Sequence, residues 1–207
     1  ITIPKESFSS ETQIAIARSN TNSCGWLVEG THPIEFAVYA DKQPKEPITL
    51  DFYYAQDEAY TGTNSVDTNR TKLVLARYNP VTGQCLPLET TINQSNWKIT
   101  AKLNHFSIFQ LMLLNPSANL NNVKIYPNPF YVNRGQGFVS LTGMPAGANI
   151  KIYTLNGEKV YETSSEGSGT AYWSGKNRKG QFAGSGIYLC VIKSDAGKKI
   201  LKIAVER

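Results

Sequence analysis

Residues 104–130 read NHFSIFQLMLLNPSANLNNVKIYPNPF. The part through Leu114 is apolar and β-rich, and it reads as the closing strand of a β-domain. The part from Val123 reads as the opening strand of another. Between them Asn115 to Asn122 is short and polar, and it reads as a linker. The chain is therefore expected to be all-β, with two tandem β-sandwich domains over 1–114 and 123–207, the second Ig-like, joined by 115–122.

A chain of 207 residues suits two domains of ordinary size, each with its own core. The charge is uneven. Residues 1–121 hold 9 Lys/Arg against 11 Asp/Glu, and residues 122–207 hold 12 against 5. A basic half can meet nucleic acid or an anionic surface. Here the lysines alternate with apolar residues, so they read as solvated strand faces that discourage edge pairing, and no nucleic-acid partner is expected. No apolar run reaches membrane-spanning length, so no transmembrane segment is expected. Ile1-Thr2-Ile3-Pro4 already reads as a strand, so the start is expected to be cut from a longer protein.

Cys24, Cys85 and Cys190 have no CxxC spacing, and there are two histidines, so no zinc site is expected. Cys190 reads as a core thiol in the strand Ile187–Lys193. Cys24 and Cys85 share the first half and are candidates for one disulfide; sequence does not give their Cα separation. Gln56–Arg70 carries Asp57, Glu58 and Asp67 without EF-hand spacing and reads as a solvated loop rather than a calcium site. Asn69-Arg70-Thr71 and Asn93-Gln94-Ser95 are glycosylation sequons. No metal or cofactor is expected.

Helical periodicity is nearly absent. In the first half the strands read as Ile14–Arg18, Ile34–Ala40, Ile48–Ala55, Leu73–Tyr78, Leu86–Ile92 and a long one from Trp97 through Phe109 to Leu114. Asn79-Pro80-Val81-Thr82-Gly83 reads as a tight reversal. In the second half they read as Val123–Tyr126, Gly137–Leu141, Asn149–Thr154, Glu158–Thr163, Ala171–Ser174, Gly186–Lys193 and Lys199–Val205. Asn156-Gly157 reads as a hairpin turn with both residues at positive φ. Pro127 and Pro129 stop the first of these strands, because proline cannot donate to a ladder. Trp173 reads as the core anchor of its domain, followed by a turn at Lys176, Asn177 and Gly180; Gly184 and Gly186 read as a tight approach into the next strand.

Two resemblances follow from these motifs. Leu75-Ala76-Arg77-Tyr78-Asn79-Pro80-Val81-Thr82-Gly83-Gln84 and then Leu103-Asn104-His105-Phe106-Ser107-Ile108-Phe109 resemble the β-sandwich of bacterial surface proteins that is similar to a domain of netrin receptors and ankyrins. Tyr153-Thr154-Leu155-Asn156-Gly157, Trp173-Ser174-Gly175-Lys176-Asn177, Gly180 and Gly184-Ser185-Gly186-Ile187-Tyr188 resemble the Ig-like domain of the flagellar hook-capping protein. They also resemble C-terminal tails of the type IX secretion system, which often begin with YPNP, as at Tyr126–Pro129, and end in a Lys-rich strand.

The first resemblance implies a reaction. His-Phe-Ser is a self-cleavage sequence in some relatives, with Ser107 as nucleophile on the Phe106 carbonyl and His105 as base. In a relaxed strand no strain drives the acyl shift, so the reaction needs a backbone outlier. The leading expectation is non-catalytic: a spacer followed by a module for export, anchoring or assembly, on a secreted or cell-surface bacterial protein. Its partners would be the export or anchoring machinery, or neighbouring copies or domains of the parent. The alternatives are self-cleavage at Phe106–Ser107 and a glycan- or protein-binding module using the loops Ser19–Gly30, which holds Trp26, and Gln56–Arg70.

Overall fold

Ile99, Ala101 and Leu103 are buried and alternate with Thr100 and Lys102. That period of two makes Lys98–Leu103 a strand with one face on a core. The same rule builds the rest of the chain in the computed structural model, which describes residues 1–19, 21, 23–24, 35–53, 73–81, 83–93, 95–133 and 136–207. No described residue is helical. The protein is all-β, its sheets arranged as sandwiches, and it divides into two compact units, Ile1–Leu114 and Asn115–Arg207.

The first unit holds β1 (Ile14–Ser19), β2 (Glu35–Ala40), β3 (Ile48–Tyr53), β4 (Leu73–Asn79), β5 (Gln84–Pro87), β6 (Thr90–Asn93), β7 (Lys98–Leu103) and β8 (Ile108–Leu113). A five-stranded sheet runs β1-β2-β8-β4-β5, and a three-stranded sheet runs β3-β7-β6. Phe36 of β2 stacks on Phe52 of β3 with ring centroids 5.3 Å apart, and Leu73, Ile99 and Leu111 pack between the sheets. β4 and β8 are buried on both faces. On their other side Val74, Ala76 and Met112 lie under Cys24, Cys85 and Leu114.

Two expected strands prove to be four. Leu86–Ile92 breaks at Leu88 and Glu89 into β5 and β6, which join different sheets. The long run from Trp97 also breaks. Trp97 sits in a turn at φ 55°, and β7 and β8 belong to opposite sheets. Ile1–Pro4 does not form a strand; Thr2 makes one bridge to Thr49.

The second unit holds β9 (Lys124–Tyr126), β10 (Phe130–Tyr131), β11 (Val139–Thr142), β12 (Asn149–Thr154), β13 (Lys159–Ser164), β14 (Ala171–Trp173), β15 (Gly186–Ser194) and β16 (Gly197–Glu206). Its five-stranded sheet runs β10-β16-β15-β12-β13, and its three-stranded sheet runs β14-β11-β9. One continuous core joins Phe130, Leu141, Met144, Ile150, Ile152, Trp173, Cys190, Ile192 and Ile203. Burial pushes the Cys190 thiol up to about 12, so it stays a neutral core group.

Gly157, at φ 86°, is at positive φ and Asn156 is not. The β12–β13 hairpin therefore turns through Gly157 N–H to Thr154 O at 3.0 Å rather than through a pair of left-handed residues, with a bulge at Ile152 and Tyr153. Residues 115–122 are docked on the second unit. Leu120 is buried in its core, Ser117 N–H donates to Met144 O, and Lys199 Nζ donates to the carbonyls of Leu120 (2.8 Å) and Asn121 (2.7 Å). A Cβ on Gly169 would lie 2.2 Å from Met144 O and 2.9 Å from Pro116 Cα, so glycine there makes room for this segment.

Candidate functional site

The His-Phe-Ser tripeptide lies at a corner. β7 ends at Leu103 and β8 begins at Ile108, so 104–107 carry the chain from the three-stranded to the five-stranded sheet. Phe106 plugs the corner, buried and stacked on Phe8 at 6.1 Å. Its N–H donates to Gln43 Oε1 at 2.6 Å. The Ser107 carbonyl accepts from Val38 N–H at 2.9 Å. The Ser107 hydroxyl donates to Tyr78 O at 2.9 Å. A nucleophile's proton must face a base that can take it, and a peptide carbonyl is not one. Desolvation, and then the charge of Arg77, hold the His105 imidazole below its ordinary range. Among the described residues the non-glycine positive-φ positions are Glu6 and Trp97, so neither Phe106 nor Ser107 is such an outlier. His105 and Ser107 thus lie between strands rather than on a strand face.

A second corner carries more. Tyr126-Pro127-Asn128-Pro129-Phe130 leaves β9 and returns as β10, with cis peptide bonds before both prolines. Neither proline has an N–H to donate. Asn128 supplies the missing pair from its side chain: Nδ2 donates to Lys202 O at 2.9 Å, and Oδ1 accepts from Ala204 N–H at 2.9 Å. The amide thus stands in for a rung of ladder along β16. One step later the backbone takes over, as Phe130 pairs parallel with Val205, Tyr131 with Glu206, and Val132 N–H donates to Glu206 O. Tyr126 is lifted to about 12 by burial, against a hydrogen bond with Thr142 that lowers it.

Phe130 ties this corner to Trp173. The tryptophan is buried, meets Tyr188 edge-on at 5.6 Å, and donates Nε1–H to Lys176 O at 2.9 Å. Gly175, two residues on, has φ 73°, and a Cβ there would lie 2.6 Å from Phe130 Cε1. Asn177 closes the turn by accepting from Lys179 N–H and Gln181 N–H on Oδ1, with Gly180 at φ 77°. Gly184 and Gly186 do not provide a tight approach: a Cβ at either meets open space. What the structure uses at Gly184 is its carbonyl, which accepts the Tyr188 hydroxyl at 2.9 Å.

Cys24 and Cys85 are joined by a disulfide, with Cα atoms 5.6 Å apart. Two buried polar residues that sequence reasoning passed over hold the Cys24 loop. Glu35 accepts from the hydroxyls of Ser19 (2.5 Å) and Thr21 (2.6 Å) and from Ser23 N–H (2.6 Å). Gln110 Oε1 accepts from Cys24 N–H at 2.9 Å. Burial pushes Glu35 up, but these hydrogen bonds outweigh it and keep its carboxyl below the ordinary range. Within strands such polar residues show only as breaks in an apolar pattern. Trp26, the Gln56–Arg70 loop and the first sequon lie outside the described residues, as does Gln94 of the second. Among the described residues, no group of three or more His, Cys, Asp or Glu stands together to hold a metal ion, and no helix is long and apolar enough to cross a membrane.

Comparison with known proteins gives a family match and several structural likenesses. The family described as the secretion system C-terminal sorting domain matches residues 124–206, all within the second unit. Among solved structures, the chain is similar to PorZ, an essential bacterial surface component of the type-IX secretion system of Porphyromonas gingivalis. The identity is 22% and the TM-score 0.40, over 57% of this chain and 16% of that one. It is also similar to dimeric latent PorU of the same organism at 12% identity and TM-score 0.30, over 94% of this chain and 20% of that one. A β-glucuronidase from Ruminococcus gnavus follows at 12% identity and TM-score 0.21, over 84% and 36%. The chain thus spans a fifth or less of the first two. No curated protein matches the chain.

Proposed function

We propose that the second unit, Asn115–Arg207, is the export and surface-anchoring domain of a secreted or cell-surface bacterial protein using a type IX route. The first unit travels with it as a non-catalytic spacer. The observation that carries this reading is the sorting-domain match over 124–206, which lies within one folded unit. The spacer reading rests on the resemblance carried by Asn104–Phe109.

Physically, an address that machinery reads as a folded object needs a fixed shape. The second unit supplies one through a single core, a corner latched by Asn128, and Lys199 holding residues 120–121 in place. Deleting 115–207 in a bacterium with a working type IX system tests the reading. Delivery of the remaining chain to the surface, measured as protease-accessible protein on intact cells, should be lost. Equal delivery with and without the unit would refute it.

A further inference from the structure

Tyr188, Cys190 and Ile192 of β15 point into the core of the second unit, so Ile187, Leu189 and Val191 point away from it. β15 is the middle strand of its five-stranded sheet. On β16, Ala204 lies opposite Ile187 and Ile200 opposite Val191. The outward centre of this sheet is therefore an apolar strip, with Ile187 41% and Ile200 51% exposed. Its rim is cationic. Lys202 lies opposite Leu189, and Lys193 lies directly opposite Lys198. Like charges facing each other across a ladder cost stability. Among the described residues no carboxylate pairs with Lys193, Lys198 or Lys202. The other flank differs: Glu162 meets Lys159 at 2.8 Å, Lys151 at 3.2 Å and Arg178 at 2.7 Å, and is held down to about 2. Lys193, Lys198 and Lys202 thus put charge without a carboxylate partner at the β15–β16 end.

We propose that this outward face of β15 and β16 is a docking surface for a protein of the export machinery, one that presents an apolar centre ringed by carboxylates. The proposal rests on the export reading above. Charge complementarity selects the occupant. A second copy of this chain meeting it face to face would set lysines against lysines. Leu189 and Val191 are half-buried in the strip, which suits a flat protein contact rather than insertion among acyl chains.

The test uses the full chain in a bacterium with a working type IX system. Lys198→Glu with Lys202→Glu reverses the rim; Ile200→Ser weakens the centre; Lys124→Glu with Lys179→Glu is a charge-matched control elsewhere on the unit. Surface delivery is measured with thermal unfolding. The rim reversal should unfold no earlier than the unmutated chain, since a carboxylate would then face Lys193 across the ladder, yet cut delivery about tenfold or more. Ile200→Ser should cut it less, and Lys198→Arg with Lys202→Arg should keep it. Delivery of the rim and Ile200 variants equal to the control pair would overturn the proposal while leaving the export reading standing. Failure of the unmutated chain to reach the surface would remove both. Vesicles of phosphatidylcholine with phosphatidylglycerol supply the remaining arm: binding of the full chain that is lost on rim reversal would assign the face to lipid and overturn the protein partner.

Discussion

Each unit lays a five-stranded sheet on a three-stranded one, yet the two are secured by different means. The first is tied covalently, by Cys24–Cys85 across a sequence separation of 61, over a loop held by the buried polar pair Glu35 and Gln110. The second has no disulfide among its described residues. Its one cysteine is a buried neutral thiol, and its turns depend on glycines and on side-chain amides, Asn128 and Asn177, that replace backbone partners. A shared layout therefore does not imply a shared way of failing. The first unit should be sensitive to reductant, the second to loss of core volume and of backbone geometry.

The largest effect that would undo this contrast is at Trp173. Trp173→Ala should cost the second unit about 3–5 kcal/mol, read as a shift of its denaturant transition with that of the first unit in place. Opening the disulfide should do the converse. Cys24→Ser with Cys85→Ser, or reductant, should cost the first unit about 4 kcal/mol by loop-closure entropy and leave the second alone. In the native chain a thiol reagent should then find no reactive cysteine, because Cys190 is buried. If reduction destabilised both units equally, the division would be wrong.

Gly175→Ala should cost about 1–3 kcal/mol, from the left-handed backbone and the encounter with Phe130, a contact that links two sequence motifs far apart in the chain. Asn128→Ala removes two hydrogen bonds to β16 and should cost about 1–2 kcal/mol, seen as faster amide exchange at Ala204. Acid reaches both units, since Glu35 in the first and Glu162 in the second are each held below the ordinary carboxylate range. Glu35 is depressed in the folded state, so its contribution is present above the ordinary carboxylate pKa and is lost as pH falls through the folded value. The first unit should therefore lose stability below about pH 4, at least in part through Glu35, and Glu35→Gln should flatten that dependence.

The smallest effect is expected at the His-Phe-Ser corner. Ser107→Ala removes one hydrogen bond, to Tyr78 O, worth about 1 kcal/mol. Denatured protein should give a single intact mass with or without the substitution; fragments divided at Phe106–Ser107 would show that the corner reacts.

Much of the fold was legible because its strands keep a period of two. β4, β12 and β15 lie within a residue of where alternation puts them. The errors share a cause. β5 and β6, like β7 and β8, are consecutive strands that change sheets at a corner, and a β-rich run does not record which sheet it joins. β10 went unseen because two residues give no period and the prolines before it remove the expected donors. The role of Asn128 needed a distant partner, β16, with sequence separations of 74 and 76 in its two bonds. Residues 115–122 looked like a tether because they are polar, whereas Leu120 is buried in the core of the second unit.

The most direct measurement compares the full chain in two otherwise identical bacteria, one with and one without a working type IX system, by protease accessibility on intact cells. Surface protein in the first and none in the second is the result the second unit's assignment predicts. Equal exposure in both would contradict it.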